Sequence, residues 1–299
     1  MTAVAPWSSY VALGDSFSEG LWDVLDDDAL PSPDLSAWAA AHPHAPETRL
    51  LRLRGWADLL AGHLADRRPE GEGLQYANLA VRGKLLPAVV TEQVPLALEL
   101  KPDLVSIVAG GNDILRPAVD IDAIAGRLEA AVIELRSAGS DVLIATGVDS
   151  RGAVLISSTR ARVGIFNSLV WSIARRHGAH VVDVWGMRSL GDWRMWSADR
   201  IHLLADGHER VAQAALVGLG LEPDDDAWDD PLAPLDPAPV RERLAADSAW
   251  FREHAYPWAT RRLRGRSSGD LRVPKQPGYL TVERRGQVVA RADRRPPRS

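Results

Sequence analysis

Five positions where apolar runs of this 299-residue chain stop carry the residue types of acyl transfer: Ser16, Gly83, Asn112, Asp199 and His202. A serine hydroxyl is a poor nucleophile until a base takes its proton. His202 can be that base. Asp199, three residues earlier on the same loop, can fix the other ring nitrogen and stabilise the imidazolium. The tetrahedral intermediate carries an oxyanion. Its candidate donors are the backbone N–H groups of Ser16 and Gly83 and the neutral side-chain amide of Asn112. Glycine at 83 lets the backbone come close to a substrate.

Residues so far apart in sequence meet only if the fold gathers them. Apolar runs at 10–13, 74–81, 103–109, 141–146 and 179–185 read as strands. Helical spacing separates them at 55–65, 85–100, 121–138, 159–177 and 205–219, with bends expected at Pro87 and Pro95. Strands that alternate with helices form parallel sheets, with crossover helices on both faces. In such a sheet every carboxyl end lies on one edge, where open α/β folds bind ligands. Ser16 follows the first strand, Gly83 the second, Asn112 the third, and Asp199 with His202 the fifth.

With those residues in place, the chain resembles the SGNH hydrolases, the GDSL-type esterases and lipases. Gly14-Asp15-Ser16-Phe17-Ser18 is similar to their first block, with Phe17 where the eponymous leucine stands. Asn78-Leu79-Ala80-Val81-Arg82-Gly83 is similar to the second, Gly110-Gly111-Asn112-Asp113 to the third and Asp199-Arg200-Ile201-His202 to the fifth. The resemblance spans about residues 9–220. It implies a three-layer α/β/α sandwich of flavodoxin-like type, here with a five-stranded parallel sheet. It also implies nucleophile Ser16, base His202 with Asp199, and an oxyanion hole of Ser16, Gly83 and Asn112. The expected reaction is hydrolysis of small or short-chain carboxylic esters through an acyl-enzyme, with no metal and no organic cofactor. Sugar deacetylation, lysophospholipid or thioester cleavage and acyl transfer use the same constellation. A binding module that keeps the fold without the activity is the non-enzyme alternative.

Composition sets outer limits. Hydrophobic residues make up 46% and charged residues 25%, as in ordinary globular proteins. There are no cysteines, which excludes disulfides, thiol catalysis and cysteine-ligated zinc. No run of 18 apolar residues is present, so no membrane span is expected, and no signal-peptide pattern opens the chain. A cytoplasmic location is the default expectation.

The expected organisation is a catalytic domain over residues 1–221 with an insertion at 21–54. A linker and C-terminal helix at 222–264 follow, with Val240, Leu244, Phe251, Ala255 and Trp258 on one face, then a basic, disordered tail at 265–299. Residues 261–299 hold 12 Lys and Arg against 3 Asp and Glu, while residues 1–260 hold 23 against 37. The tail lacks regular aromatic spacing, which favours a solvated segment over a nucleic-acid contact.

Other features have plain readings. Asp15 caps the turn that presents Ser16, and His208 supports its loop. The acidic runs Asp26–Asp28 and Asp224–Asp226 lack calcium-loop spacing, and His42 with His44 lacks a third ligand. Among 11 tryptophans, Trp22, Trp38, Trp193 and Trp196 lie near the site in sequence. At least one is expected to wall the substrate pocket.

Overall fold

The computed structural model describes residues 4–25, 52–152, 157–235, 248–255 and 272–284, with residues 239, 241, 269, 288 and 289. The apolar runs form five parallel strands. These are β1 (Ser9–Gly14), β4 (Leu74–Asn78), β5 (Leu104–Val108), β6 (Asp141–Ala145) and β7 (His180–Val182). A two-stranded ribbon, β2 (Val24–Leu25) against β3 (Arg52–Leu53), closes the root of the 21–54 insertion. Residues 26–51 of that insertion lie outside the described residues.

The sheet runs β7-β6-β5-β1-β4 and continues into β8 (Gln276–Val282) and β9 (Val288–Val289). The five parallel strands have the flavodoxin-like order. The chain leaves β1 for β4 on one side and returns to β5 on the other. A crevice opens at that switch point, outside the carboxyl ends of β1 and β5. Ser16 and Asn112 follow those two strands.

The expectation of five strands is corrected by β8, which pairs antiparallel with β4 from Leu74↔Val282 to Asn78↔Gln276. Within the tail expected to be disordered over 265–299, this strand is ordered at Gln276–Val282, while residues 265–268, 270–271, 285–287 and 290–299 lie outside the described residues. Its Pro277 and Gly278 read locally as a turn, but among the described residues β9 pairs with β8 only at Thr281 and Val282, which leaves the outer side open at Pro277 and Gly278. Pairing with β4 then supplies order that no local pattern announces.

Alternation along β1 divides the core. Tyr10 and Ala12 face one layer, which holds α2 (Trp56–Asp66) and α8 (Ala205–Gly218). Val11 and Leu13 face the other. That second layer holds α6 (Ile121–Ser137), α7 (Arg160–His177) and a compound helix running from α3 (Leu86–Ala88) to α4 (Val94–Leu100). Pro87 and Pro95 sit in first turns, where their missing N–H costs nothing. The interruption is instead a π-helical turn at Val89–Gln93. Of the expected C-terminal helix face, Phe251 is about half exposed rather than packed, and Phe251–Ala255 forms a π-helical turn. Val240, Leu244 and Trp258 lie outside the described residues. Among the described residues, no helix is long and apolar enough to cross a membrane.

Candidate active site

The turn that carries Ser16 begins where β1 meets Gly14. Gly14 has φ 144°, and a Cβ there would run into the Val108 carbonyl of β5, so only glycine fits. The buried Gln93 side chain grips its backbone on both sides. Its amide oxygen accepts the Gly14 N–H at 2.8 Å, and its amide nitrogen donates to the Gly14 carbonyl at 2.9 Å. Gln93 is the last residue of the π-helical turn, a distortion often found beside functional sites. Asp15 is the N-cap of the one-turn α1 (Ser16–Glu19), accepting the Phe17 N–H at 3.0 Å. Ser16 is therefore the first residue of a capped turn, at the rim of the sheet, and is 9% exposed.

Residues 199–202 bring the other half. His202 Nε2 lies 2.9 Å from Ser16 Oγ, and His202 Nδ1 lies 2.7 Å from Asp199 Oδ2. The remaining capacity of Asp199 is filled. Its Oδ1 accepts from Ser197 Oγ at 2.5 Å and from the N–H groups of Ile201 and His202 at 2.9 and 3.0 Å. Its Oδ2 also accepts the indole N–H of Trp22 at 2.8 Å. Burial alone would raise the Asp199 pKa. The His202 charge and the converging hydrogen bonds outweigh burial and hold the carboxyl well below the ordinary carboxylate range.

Asn112 and Gly83 flank the serine. The Asn112 amide nitrogen donates to Asp15 Oδ2 at 3.0 Å and to the Lys84 carbonyl at 3.2 Å. Asp15 thus joins the first motif to the third, a link beyond the local capping read from sequence. Burial pushes its carboxyl up to about 6. The Phe17 N–H, His202 and the Asn112 amide pull down, while nearby Asp113 adds to the rise. Gly83 has φ 74°, a left-handed conformation that glycine adopts without strain. The residue before it is fixed by Glu19 of the turn that carries Ser16. That carboxylate accepts the Arg82 backbone N–H at 2.8 Å and its guanidinium at 2.6 Å, and both side chains are buried.

The motif for the GDSL-like lipase/acylhydrolase family matches residues 12–210, two thirds of the chain. The chain belongs to this family. It is a hydrolase acting on ester bonds. Solved structures share its fold at low identity. The crystal structure of LAE5, described as an alpha/beta hydrolase enzyme from the metagenome of Lake Arreo, Spain, has 23% identity and a TM-score of 0.54. That match covers 73% of this chain and 96% of LAE5. The acetylxylan esterase Axe2 from Geobacillus stearothermophilus has 19% identity and a TM-score of 0.51, covering 74% and 98%. The lipase/acylhydrolase from Enterococcus faecalis has 20% identity and a TM-score of 0.51, covering 73% and 98%. No curated protein matches the sequence.

Within this GDSL-type hydrolase the tryptophans divide. Trp22, expected as a possible wall, is buried against the Asp199 carboxylate. Trp196 ties its indole N–H to the Leu190 carbonyl at 2.8 Å. Trp193 is 43% exposed, with the Arg200 guanidinium 5.6 Å from its ring. Trp38 lies outside the described residues, as do Asp26–Asp28, His42 and His44. Asp224 pairs with Arg67 and His63. His208 is buried and accepts the Trp56 N–H at 3.3 Å. Burial pushes its pKa down to about 3, so it stays neutral. Gln93 and the Asp199 contact of Trp22 had no sequence signal, because each is one side chain meeting a distant partner.

Proposed function

We propose that this enzyme hydrolyses small or short-chain carboxylic esters through an acyl-enzyme on Ser16. The observation that carries the reading is the continuous chain from Ser16 Oγ through His202 to Asp199, at 2.9 and 2.7 Å. Ser16 Oγ attacks the ester carbonyl as its proton passes to His202 Nε2. The carbonyl oxygen becomes an oxyanion beside the N–H groups of Ser16 and Gly83 and the Asn112 amide. On collapse the carbon–oxygen bond to the alcohol breaks, and His202 returns the proton to the leaving oxygen. Water, deprotonated by His202, then attacks the acyl-enzyme and releases the acid.

Asp199 supports this role because its donors keep it anionic opposite the imidazolium. Asn112 donates both of its amide hydrogens, to Asp15 and to the Lys84 carbonyl, so one of these bonds is exchanged for the oxyanion when it forms. The burial of Ser16 favours a small acyl group, or one that leads outward to the rim.

A fluorophosphonate probe, followed by peptide mapping, tests the nucleophile. The expected adduct is on Ser16. Ser16→Ala should take no label and lose on the order of 10⁶ in turnover of a nitrophenyl ester. A folded wild-type protein without an adduct, or an active Ser16→Ala variant, overturns the reading.

A further inference from the structure

The family match ends at residue 210, yet three places in the chain beyond it touch the catalytic apparatus. Trp250 reaches the acid–base loop, where its indole N–H donates to the Asp199 carbonyl at 3.1 Å. Its ring also lies 5.0 Å from the Arg200 guanidinium, which stands 5.6 Å from the Trp193 ring as well. Gly269 lies so close to the Arg82 carbonyl, next to Gly83, that any Cβ would collide with it. Lys275 reaches the nucleophile turn. Its ammonium donates to the Glu19 carbonyl at 2.6 Å, the Leu53 carbonyl at 3.1 Å and Asp58 Oδ2 at 2.6 Å.

These contacts are more than casual packing. An ammonium has three donors, and Lys275 has one acceptor for each, drawn from three different segments. Those segments are the end of α1, the root of the insertion and the first turn of α2. Asp58 is itself fixed by the Gly55 N–H at 2.8 Å and the Tyr76 hydroxyl at 3.1 Å. Lys275 stands immediately before β8, whose register on β4 sets where the ammonium falls.

At the other end, Arg200 occupies the turn between Asp199 and His202 with φ 58°, a region that non-glycine residues avoid. Such a conformation persists where its surroundings over-determine it. Trp250 supplies that restraint twice, by hydrogen bond to the preceding carbonyl and by stacking on the side chain.

We propose that the C-terminal extension is a catalytic brace, in which Trp250 and Lys275 are positioning residues. Trp250 fixes the turn that aims His202, and Lys275 fixes the short helix that presents Ser16. Together they set the register of base against nucleophile. The inference rests on the serine-hydrolase reading above.

The experiment compares the full-length wild type with Trp250→Ala, Trp250→Phe, Lys275→Met and the Trp250→Ala/Lys275→Met double variant. A nitrophenyl acetate assay gives kcat and KM, a fluorophosphonate gives the labelling rate at Ser16, and circular dichroism gives the melting temperature. Assays run well below the melting transition, with kcat expressed per labelled site. Trp250→Ala and Lys275→Met should each lower kcat and the labelling rate about five- to twentyfold, with KM within about twofold. The two losses should multiply, since the sites share no partner. Trp250→Phe keeps a ring over Arg200 and removes only the N–H, so it should lose about two- to fivefold. It serves as the deciding variant if either larger change prevents folding.

A merely structural role would lower the melting temperature and leave kcat per labelled site unchanged. That outcome, with the wild type labelled normally, overturns the brace alone. A wild type that takes no label at Ser16 overturns the hydrolase reading and the brace with it.

Discussion

Asp15 and Asp199 are buried aspartates on opposite sides of the Ser16–His202 pair, and the fold drives them in opposite directions. Asp15 precedes Ser16 and accepts two hydrogen bonds, from the Phe17 N–H and the Asn112 amide. Its pKa rises to about 6. Asp199 accepts five, from Ser197, Ile201, Trp22 and both the ring and backbone of His202. Its pKa falls. Burial raises both, so burial does not distinguish them. The difference lies in donors and neighbours. Asp199 is in direct contact with the His202 ring, whereas at Asp15 the pull of His202 is opposed by the nearby carboxylate of Asp113. The acid–base loop is built around a permanent anion. The nucleophile turn is built around a carboxyl that serves as an acceptor and has little to secure its charge.

The largest effect expected from this contrast is at Asp199. In Asp199→Asn the charge opposite the imidazolium is gone, and an amide either loses its grip on Nδ1 or turns a donor toward a donor. Turnover of a nitrophenyl ester should fall on the order of 10⁴, with KM little changed. A loss below tenfold would mean that the anion is not what the acid–base loop is built to hold, and the contrast with Asp15 would collapse.

What was legible in the sequence follows from how the chemistry is encoded. Ser16, Gly83, Asn112, Asp199 and His202 stand out because polar residues and glycines break apolar strands at fixed places. Each break is visible within a few residues. The helix over Ile121–Ser137 was legible for a similar reason, since its apolar spacing is local. The acceptor duties of Asp15 were only half legible. Capping of Phe17 is a two-residue affair, whereas the bond to Asn112 spans 97 positions. Gln93 and Trp250 were not legible as site residues, and Trp22 was legible as a neighbour of the site but not as a donor to Asp199, because a single side chain meeting a distant partner leaves no period or spacing. Strand β8 was hidden by Pro277 and Gly278 and by a partner some 200 residues away.

An intermediate effect is expected at Asp15, where stability and catalysis should part. Because its pKa is raised from 3.8 to about 6, the folded protein binds this proton more tightly than the unfolded chain does. The stability it contributes is full below about pH 3.8 and is lost as pH rises through about 6, on the order of 3 kcal/mol in all. Asp199 has the opposite sign: its contribution is present above the ordinary carboxylate range and is lost as pH falls below it. Asp15→Asn should therefore flatten the decline in stability between about pH 4 and pH 6, read by urea unfolding across that range. The same variant should lower kcat about 10- to 100-fold, because an amide at 15 sets a donor against either the Asn112 amide or the Phe17 N–H and so misaims the oxyanion group or the turn that carries Ser16. An unchanged pH profile of stability would show that Asp15 ionises as freely in the fold as outside it.

The smallest effect is expected at Trp22, and it tests whether the many donors at Asp199 are redundant. Trp22→Phe keeps an aromatic ring in the same buried position and removes the one indole N–H, 2.8 Å from Asp199 Oδ2. Oδ2 keeps the His202 ring, and Oδ1 keeps all three of its donors. One hydrogen bond among five contributes about 1 kcal/mol, so kcat should fall only three- to tenfold, with KM unchanged. A drop approaching that of Asp199→Asn would mean that the indole, rather than the turn of residues 199–202, aims the carboxylate. The root of the insertion, where Trp22 sits just before β2, would then belong to the acid–base loop as much as to the wall around it.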